Sequence, residues 1–327
     1  MAKAVKFDRL GGPEVLELRD VEIGEPGPGE LRIRVEAIGL NRAEVMFRDG
    51  TYFYQPDFPS GLGYEAAGVV EAVGHGVEGF SVGDTIGVVP AFLLTDYATY
   101  GDHVLVPAAA TVHRPASVSP EQAAAVWMAY LTAYGALVEN GRTRPGDHVL
   151  ITAASSSVGL AAIQTALHIG AVPIATTRTA DKKQRLLDAG AAHVVVDGED
   201  LPSRLKEITG GTGVRTAFDP VAGPGVEAIA EGIAAGGHLI VYGALDPRTT
   251  PLPNAQSFPA LTTSTYTLFE ITTDSRRLAR GVAFVNAGLT TGSFKPVVDK
   301  TFDLTEIAEA HRYMESNAQV GKIVVTV

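Results

Sequence analysis

The chain has 327 residues, so at about 150 residues per domain two domains are expected. Its 37 Asp and Glu outnumber 26 Lys and Arg, for a net charge of −11. With 46% hydrophobic and 19% charged residues it is no disordered polyelectrolyte, and an acidic chain lacks the basic face that nucleic acid or anionic membrane requires. Cysteine is absent, which removes disulfides, thiol nucleophiles, iron–sulfur clusters and thiolate zinc sites. The opening MAKAVKFDRL carries no apolar signal core, and the uncharged run 149–177 is broken by Ser155, Ser156, Ser157, Gly170 and Pro173. A cytoplasmic protein without membrane or nucleic-acid partners is the expectation.

Leu31, Ile33, Val35 and Ala37 alternate with Arg32, Arg34 and Glu36, the period of a half-buried strand. Further short apolar runs at 68–73, 85–89 and 103–107, set off by Gly, Pro and Asp, predict a barrel-like or sandwich β domain. Ser119, Pro120 and Gln122 form a helix-opening signature, and one helix is expected to run from there to about 139. From 147 the pattern alternates: strand 148–152, helix 157–168, strand 171–176, helix 180–189, strand 192–196, strand 214–218, helix 226–235 and strand 238–242. Such alternation predicts an α/β fold with a doubly wound parallel sheet. A helix at 304–317 and a strand at 322–327 are expected to return to the first domain. The division is therefore 1–120 with 265–327 for a catalytic, substrate-binding domain, and 121–264 for a cofactor domain.

The sharpest motif follows the first alternating strand, in Leu150-Ile-Thr-Ala-Ala-Ser-Ser-Ser-Val-Gly159. The three glycine slots of the dinucleotide fingerprint G-x-G-x-x-G fall on Ala154, Ser156 and Gly159, with Ser157 and Val158 between the last two. A strand, a tight turn of small residues and a helix amino end aim backbone N–H groups and positive partial charge at one point, which suits a pyrophosphate. Where an NAD site shows an acid at the end of the next strand, this chain has Thr177 and Arg178, then Lys182. A guanidinium there favours the 2′-phosphate of NADPH. The plainer reading keeps Arg178 and Lys182 as solvated residues at a helix start.

At this point the sequence resembles the medium-chain dehydrogenase/reductase superfamily, in its zinc-independent quinone oxidoreductase branch. Gly61-Leu-Gly-Tyr-Glu-Ala-Ala-Gly-Val-Val70 is similar to the segment carrying Gly-His-Glu in zinc alcohol dehydrogenases, and 146–164 is similar to the quinone oxidoreductase signature, with Ser156 and Ser157 in place of paired glycines. The resemblance implies a GroES-like β-rich catalytic domain joined to a Rossmann domain. It implies no metal, since the positions matching the relatives' zinc ligands carry Asn41, Tyr64 and Met128. It implies cofactor contacts from Thr132, Tyr242, Gly243, Leu268, Phe269 and Lys322, and a homodimer formed along 241–269.

Without metal or thiol, the expected chemistry is hydride delivery from NADPH to an electron-poor acceptor, a quinone or an α,β-unsaturated carbonyl, held in orientation. The developing oxyanion calls for a donor, and Tyr64 and Asn41 are the catalytic candidates, with Tyr52, Tyr54 and Tyr130 lining the pocket. Solvent is the other proton source. Tyr52, Phe53 and Tyr54 lie in a Pro/Gly-rich loop that reads as a substrate lid or as a contact with a partner subunit. Reduction of an enoyl thioester or a reactive aldehyde, and a low-turnover NADPH-binding regulatory protein, are the alternatives.

Overall fold

The structure, a computed structural model, describes residues 1–141, 143–253 and 260–327. The chain forms β1 (Ala2–Lys6), β2 (Glu17–Val21), β3 (Glu30–Gly39), β4 (Glu65–Val73), β5 (Thr85–Val88), β6 (His103–Pro107) and β7 (Thr111–His113). It continues through β8 (His148–Ile151), β9 (Val172–Thr177), β10 (His193–Val196), β11 (Val214–Asp219), β12 (Ile233–Val241) and β13 (Thr262–Thr265) to β14 (Val298–Asp303) and β15 (Lys322–Thr326).

These elements form two units. The first holds Met1–Met128, Thr272–Val282 and Pro296–Val327, and the second Ala129–Ile271 and Ala283–Lys295. The boundaries expected after 120 and 264 therefore differ from those of the units, for reasons of packing. Ala124 belongs with the first unit because its carbonyl lies against Gly39, where an added Cβ would come within 1.9 Å of it. Residues 283–295 belong with the second because Phe284 and Phe294 pack on Tyr134 and Tyr130, with ring centroids 5.1 and 4.8 Å apart.

In the first unit the main sheet runs β14-β15-β3-β4-β5-β7, with β6 also on β3, and β1 pairs with β2 apart from it. Leu31, Ile33, Val35 and Ala37 all face the core, as their alternation predicts. The terminal strand does return to this unit, with Val324, Val325 and Thr326 paired antiparallel to Gly39, Ile38 and Ala37.

In the second unit the order is β10-β9-β8-β11-β12-β13, all parallel. Counting from β8 this is the 3-2-1-4-5-6 order of a doubly wound dinucleotide fold, with the reversal between β8 and β11. Leu150, Ile174, Val195, Leu205, Val214 and Leu239 fill its core. The run 149–177 is strand, helix and strand, and among the described residues no helix is long and apolar enough to cross a membrane.

Several local expectations are corrected. The single helix of 119–139 is three pieces, Pro120–Ala123, Trp127–Tyr134 and a π-helical Gly135–Asn140. After Ala123 the chain tightens, as Ala125 and Val126 donate to the carbonyls three residues back, Gln122 and Ala123. The helix expected over 226–235 is Val226–Glu231, and β12 begins at Ile233. Helices Arg42–Asp49, Leu201–Ile208 and Ser275–Thr291 were not legible in the sequence pattern.

Candidate active site

In the second unit, β8 turns through Ala153, whose φ of 45° is left-handed, into the helix Ser157–His168. The tight turn thus falls one residue before the slot expected at Ala154. The Ser156 hydroxyl caps the helix by accepting from Gly159 N at 3.0 Å, and Ala154 N donates to the Thr176 carbonyl at 3.2 Å. A Cβ on Gly159 would stand 2.6 Å from Ala154 Cα, so only glycine lets the helix lie this close to the turn. Ser157 and Val158 begin the helix, where N–H groups have no acceptor within the helix itself. A shallow cradle of small residues before free N–H groups fits a pyrophosphate.

At the end of β9, Thr177 is buried, its hydroxyl donating to the Thr179 carbonyl. Arg178 is exposed and has no hydrogen-bond or ion-pair partner among the described residues. Lys182 ends the 3-10 turn Ala180–Lys182. Beside the turn, at the carboxyl edges of β8 and β11, the Thr152 hydroxyl donates to the buried Asp219, which also accepts from Ala222 N at 2.7 Å. Burial still pushes the Asp219 carboxyl above its ordinary range. Tyr242 stacks on Phe218, with centroids 3.9 Å apart. Gly243 follows against Pro220, and Leu268 and Phe269 are half-buried. Thr132 is buried. Tyr130 is 2% exposed, and its phenol donates to Gln164 at 2.8 Å in the core of the unit.

In the first unit Asn41 and Glu44 form a capping box at the head of the helix Arg42–Asp49. The Asn41 side-chain amide donates to the Gly39 carbonyl at 3.0 Å and to Glu44 at 3.2 Å, and its oxygen accepts from Lys322 Nζ at 2.6 Å. Both its N–H groups are committed, so it positions its neighbours and does not serve as a free oxyanion donor. Lys322, expected beside the cofactor, is 1% exposed and ion-paired with Glu65 at 2.6 Å. Glu65 Oε1 accepts in turn from Met128 N. Tyr64 is likewise 1% exposed. Its hydroxyl meets that of Tyr54 at 2.6 Å and that of Tyr52 at 3.2 Å, and Tyr54 also accepts from Leu94 N at 2.8 Å. Tyr52 and Tyr54 are half-buried and Phe53 is 70% exposed. Burial raises all three phenols, Tyr52 to about 12 and Tyr64 far beyond that, so they are neutral donors throughout the working range. Tyr52 and Tyr54 are the less buried of the three, and the Tyr64 hydroxyl joins theirs.

Sequence reasoning missed the buried Glu44, Glu65, Tyr100 and His311. The N-x-x-E spacing from Asn41 to Glu44 was available as a capping signal. Nothing local could join Tyr100 to His311, 211 positions apart.

A phosphate cradle on a doubly wound sheet, in one chain with a β-rich unit that carries a phenol cluster, defines an oxidoreductase of the medium-chain dehydrogenase/reductase type. Residues 27–117 match the family described as alcohol dehydrogenase GroES-like domain, and 189–325 that described as zinc-binding dehydrogenase. Quinone oxidoreductase 1 of Escherichia coli is 40% identical over 68% of this chain and 66% of that protein, and the quinone oxidoreductase of Pseudomonas aeruginosa is 33% identical over 99% of both. The structure of E. coli quinone oxidoreductase complexed with NADPH covers 99% of this chain and all of its own, with TM-score 0.92 and 31% identity. This chain belongs to the quinone oxidoreductase family of medium-chain dehydrogenases/reductases.

Zinc does not fit Asn41, Tyr64 and Met128, the residues that the resemblance sets at the ligand positions of metal-dependent relatives. The Asn41 oxygen already accepts from an ammonium, the Tyr64 phenol is neutral and bonded to two others, and Met128 offers only a thioether. Zinc takes thiolate, imidazole or carboxylate.

Proposed function

We propose that this chain is an NADPH-dependent reductase of quinones and related electron-poor α,β-unsaturated carbonyls, acting in the cytoplasm as a homodimer. The observation that carries the reading is the phenol cluster. Where metal-dependent relatives place a Lewis acid, this chain offers Tyr52 and Tyr54, neutral donors backed by Tyr64. Neutral hydrogen bonds polarise a carbonyl less than a divalent cation does, so the acceptor must be electrophilic before it binds.

The cradle of Ala154, Ser156, Ser157, Val158 and Gly159 would hold the pyrophosphate of NADPH, and Arg178 with Lys182 its 2′-phosphate. Thr132, Thr177, Tyr242, Gly243, Leu268 and Phe269 belong to the same proposed cofactor set. Bound NADPH supplies a hydride from its nicotinamide ring. This chain's part is to align the acceptor, exclude water with the aromatic loop around Phe53, and donate hydrogen bonds from Tyr52 or Tyr54 to the oxygen on which negative charge grows. With both phenols held above their ordinary range, the net proton comes from solvent.

Loss of reduced-nicotinamide absorbance, followed with chelated protein against a quinone, an enone and a plain aldehyde, tests the reading. Rapid turnover of quinone or enone with NADPH, unchanged by chelator, is expected. Preference for the plain aldehyde, or dependence on added zinc, would overturn it.

A further inference from the structure

Behind the phenols lies a second buried polar assembly with no part in the chemistry so far. Glu44 is wholly buried. Its Oε1 accepts from Tyr64 N at 3.0 Å and Asn41 Nδ2 at 3.2 Å, and its Oε2 accepts from Asn41 N at 2.6 Å and the Tyr100 hydroxyl at 2.7 Å. Four donors converge on one carboxylate, and three of them belong to the two residues at the head of the site. The Tyr100 oxygen lies 3.2 Å from His311 Nε2, and His311 Nδ1 lies 2.8 Å from Arg48 Nη1. A guanidinium can only donate, so Nδ1 accepts and the ring proton sits on Nε2, directed at Tyr100. Arg48 is anchored on Glu315 at 2.7 Å and on the Gly11 carbonyl at 3.0 Å. The line Arg48 to His311 to Tyr100 to Glu44 therefore has one polarity, fixed at one end by a group that cannot accept and at the other by a carboxylate.

We propose that Glu44 is a positioning residue for the reaction: as the carboxylate it fixes the Tyr64 backbone and the Asn41 amide, and Tyr100, His311 and Arg48 hold it there. The proposal rests on the quinone-reductase reading. Through Asn41 it also sets Lys322, and through Tyr64 the phenols that meet the acceptor. Burial is the largest influence on Glu44 and holds its carboxyl above the ordinary range, while the Tyr100 hydroxyl, Asn41 N, Lys322 and Tyr64 N favour its charge. His311 stands behind Tyr100 as a neutral ring, and Arg48 behind that.

Tyr100→Phe removes one donor and keeps the ring. Burial then gains on the remaining donors, and the Glu44 carboxyl is pushed further above its ordinary range than in the parent. The expected result is a kcat about tenfold below the parent at pH 6, the kinetic equivalent of one hydrogen bond to a charged group, recovering at pH 8 to 9 with KM for NADPH unchanged. Glu44→Gln, which cannot recover its charge, should be slow at every pH. Crystal structures of Tyr100→Phe at pH 6 and pH 8 should show the Asn41 and Tyr64 side chains displaced only at the lower pH. A purely structural role predicts a lower Tm with a kcat profile parallel to the parent and no displacement, and that outcome overturns the proposal. If the parent reduces no quinone, the functional reading falls, and the crystallographic comparison still decides the role of Glu44.

Discussion

Cofactor choice is set by few atoms. Arg178 is exposed, has no partner among the described residues, and follows the strand end where an acid would instead contact an NAD ribose. A guanidinium paired with a phosphate contributes roughly 1.5–3 kcal/mol. Arg178→Ala should therefore raise KM for NADPH about 10- to 100-fold and leave KM for NADH within about twofold. Parallel steady-state titrations with the two cofactors check this, and equal effects on both would remove Arg178 from the 2′-phosphate site. The same scale shows the reach of sequence reading. Arg178 was legible because a fingerprint fixed its offset from Gly159. Tyr64 was legible as a site position, yet its burial behind Tyr52 and Tyr54 depends on a loop whose path no periodicity encodes. Tyr130 reads as a pocket candidate for its hydroxyl, in a segment whose helical spacing fits core packing equally well, and its phenol bonds to Gln164 in the core.

Elements that repeat a strong local pattern were the ones legible in advance. The strand–helix alternation from 147 gives the doubly wound sheet because each buried strand is a short run rich in apolar residues that begins within three residues of a Gly. β13 escaped that reading: Thr262-Thr-Ser-Thr265 has no apolar residue and pairs on one side only, with β12. It is the last strand of its sheet among the described residues, and such an edge presents unpaired backbone groups to any second copy. We propose that the homodimer forms by pairing of these edges. The segment 241–269 expected to carry the dimer includes 254–259, which lie outside the described residues. Sedimentation should then give twice the 34.2 kDa chain mass, and Thr263→Lys, which sets like charges near one another across the two-fold, should move the population toward monomer. A parent sedimenting as a monomer would dispose of the edge-pairing idea.

At the scale of the whole molecule, long-range polar burial ties stability to pH. His311 sits on the helix Ile307–Ser316, is 0% exposed, and is held to about 3 by burial and by the neighbouring Arg48 and Arg42. Its native pKa is below the unfolded value near 6.5, so between these values the unfolded chain binds more protons. Its contribution is complete above about pH 6.5 and declines as pH falls toward 3. Glu44 and Glu65 are shifted the other way by burial, and their contributions are lost as pH rises from about 4.5, so the parent's own curve mixes opposing slopes. A difference measurement separates them. His311→Gln should cost most stability at pH 8, and the gap to the parent should narrow by up to about 1.4 kcal/mol per pH unit below 6.5. Urea unfolding of both proteins at pH 8, 6 and 5 reads this directly. A gap that stays constant, or widens on acidification, would mean that His311 is not held neutral, and the one-way line from Arg48 to Glu44 would then have to run with a different tautomer or a charged ring.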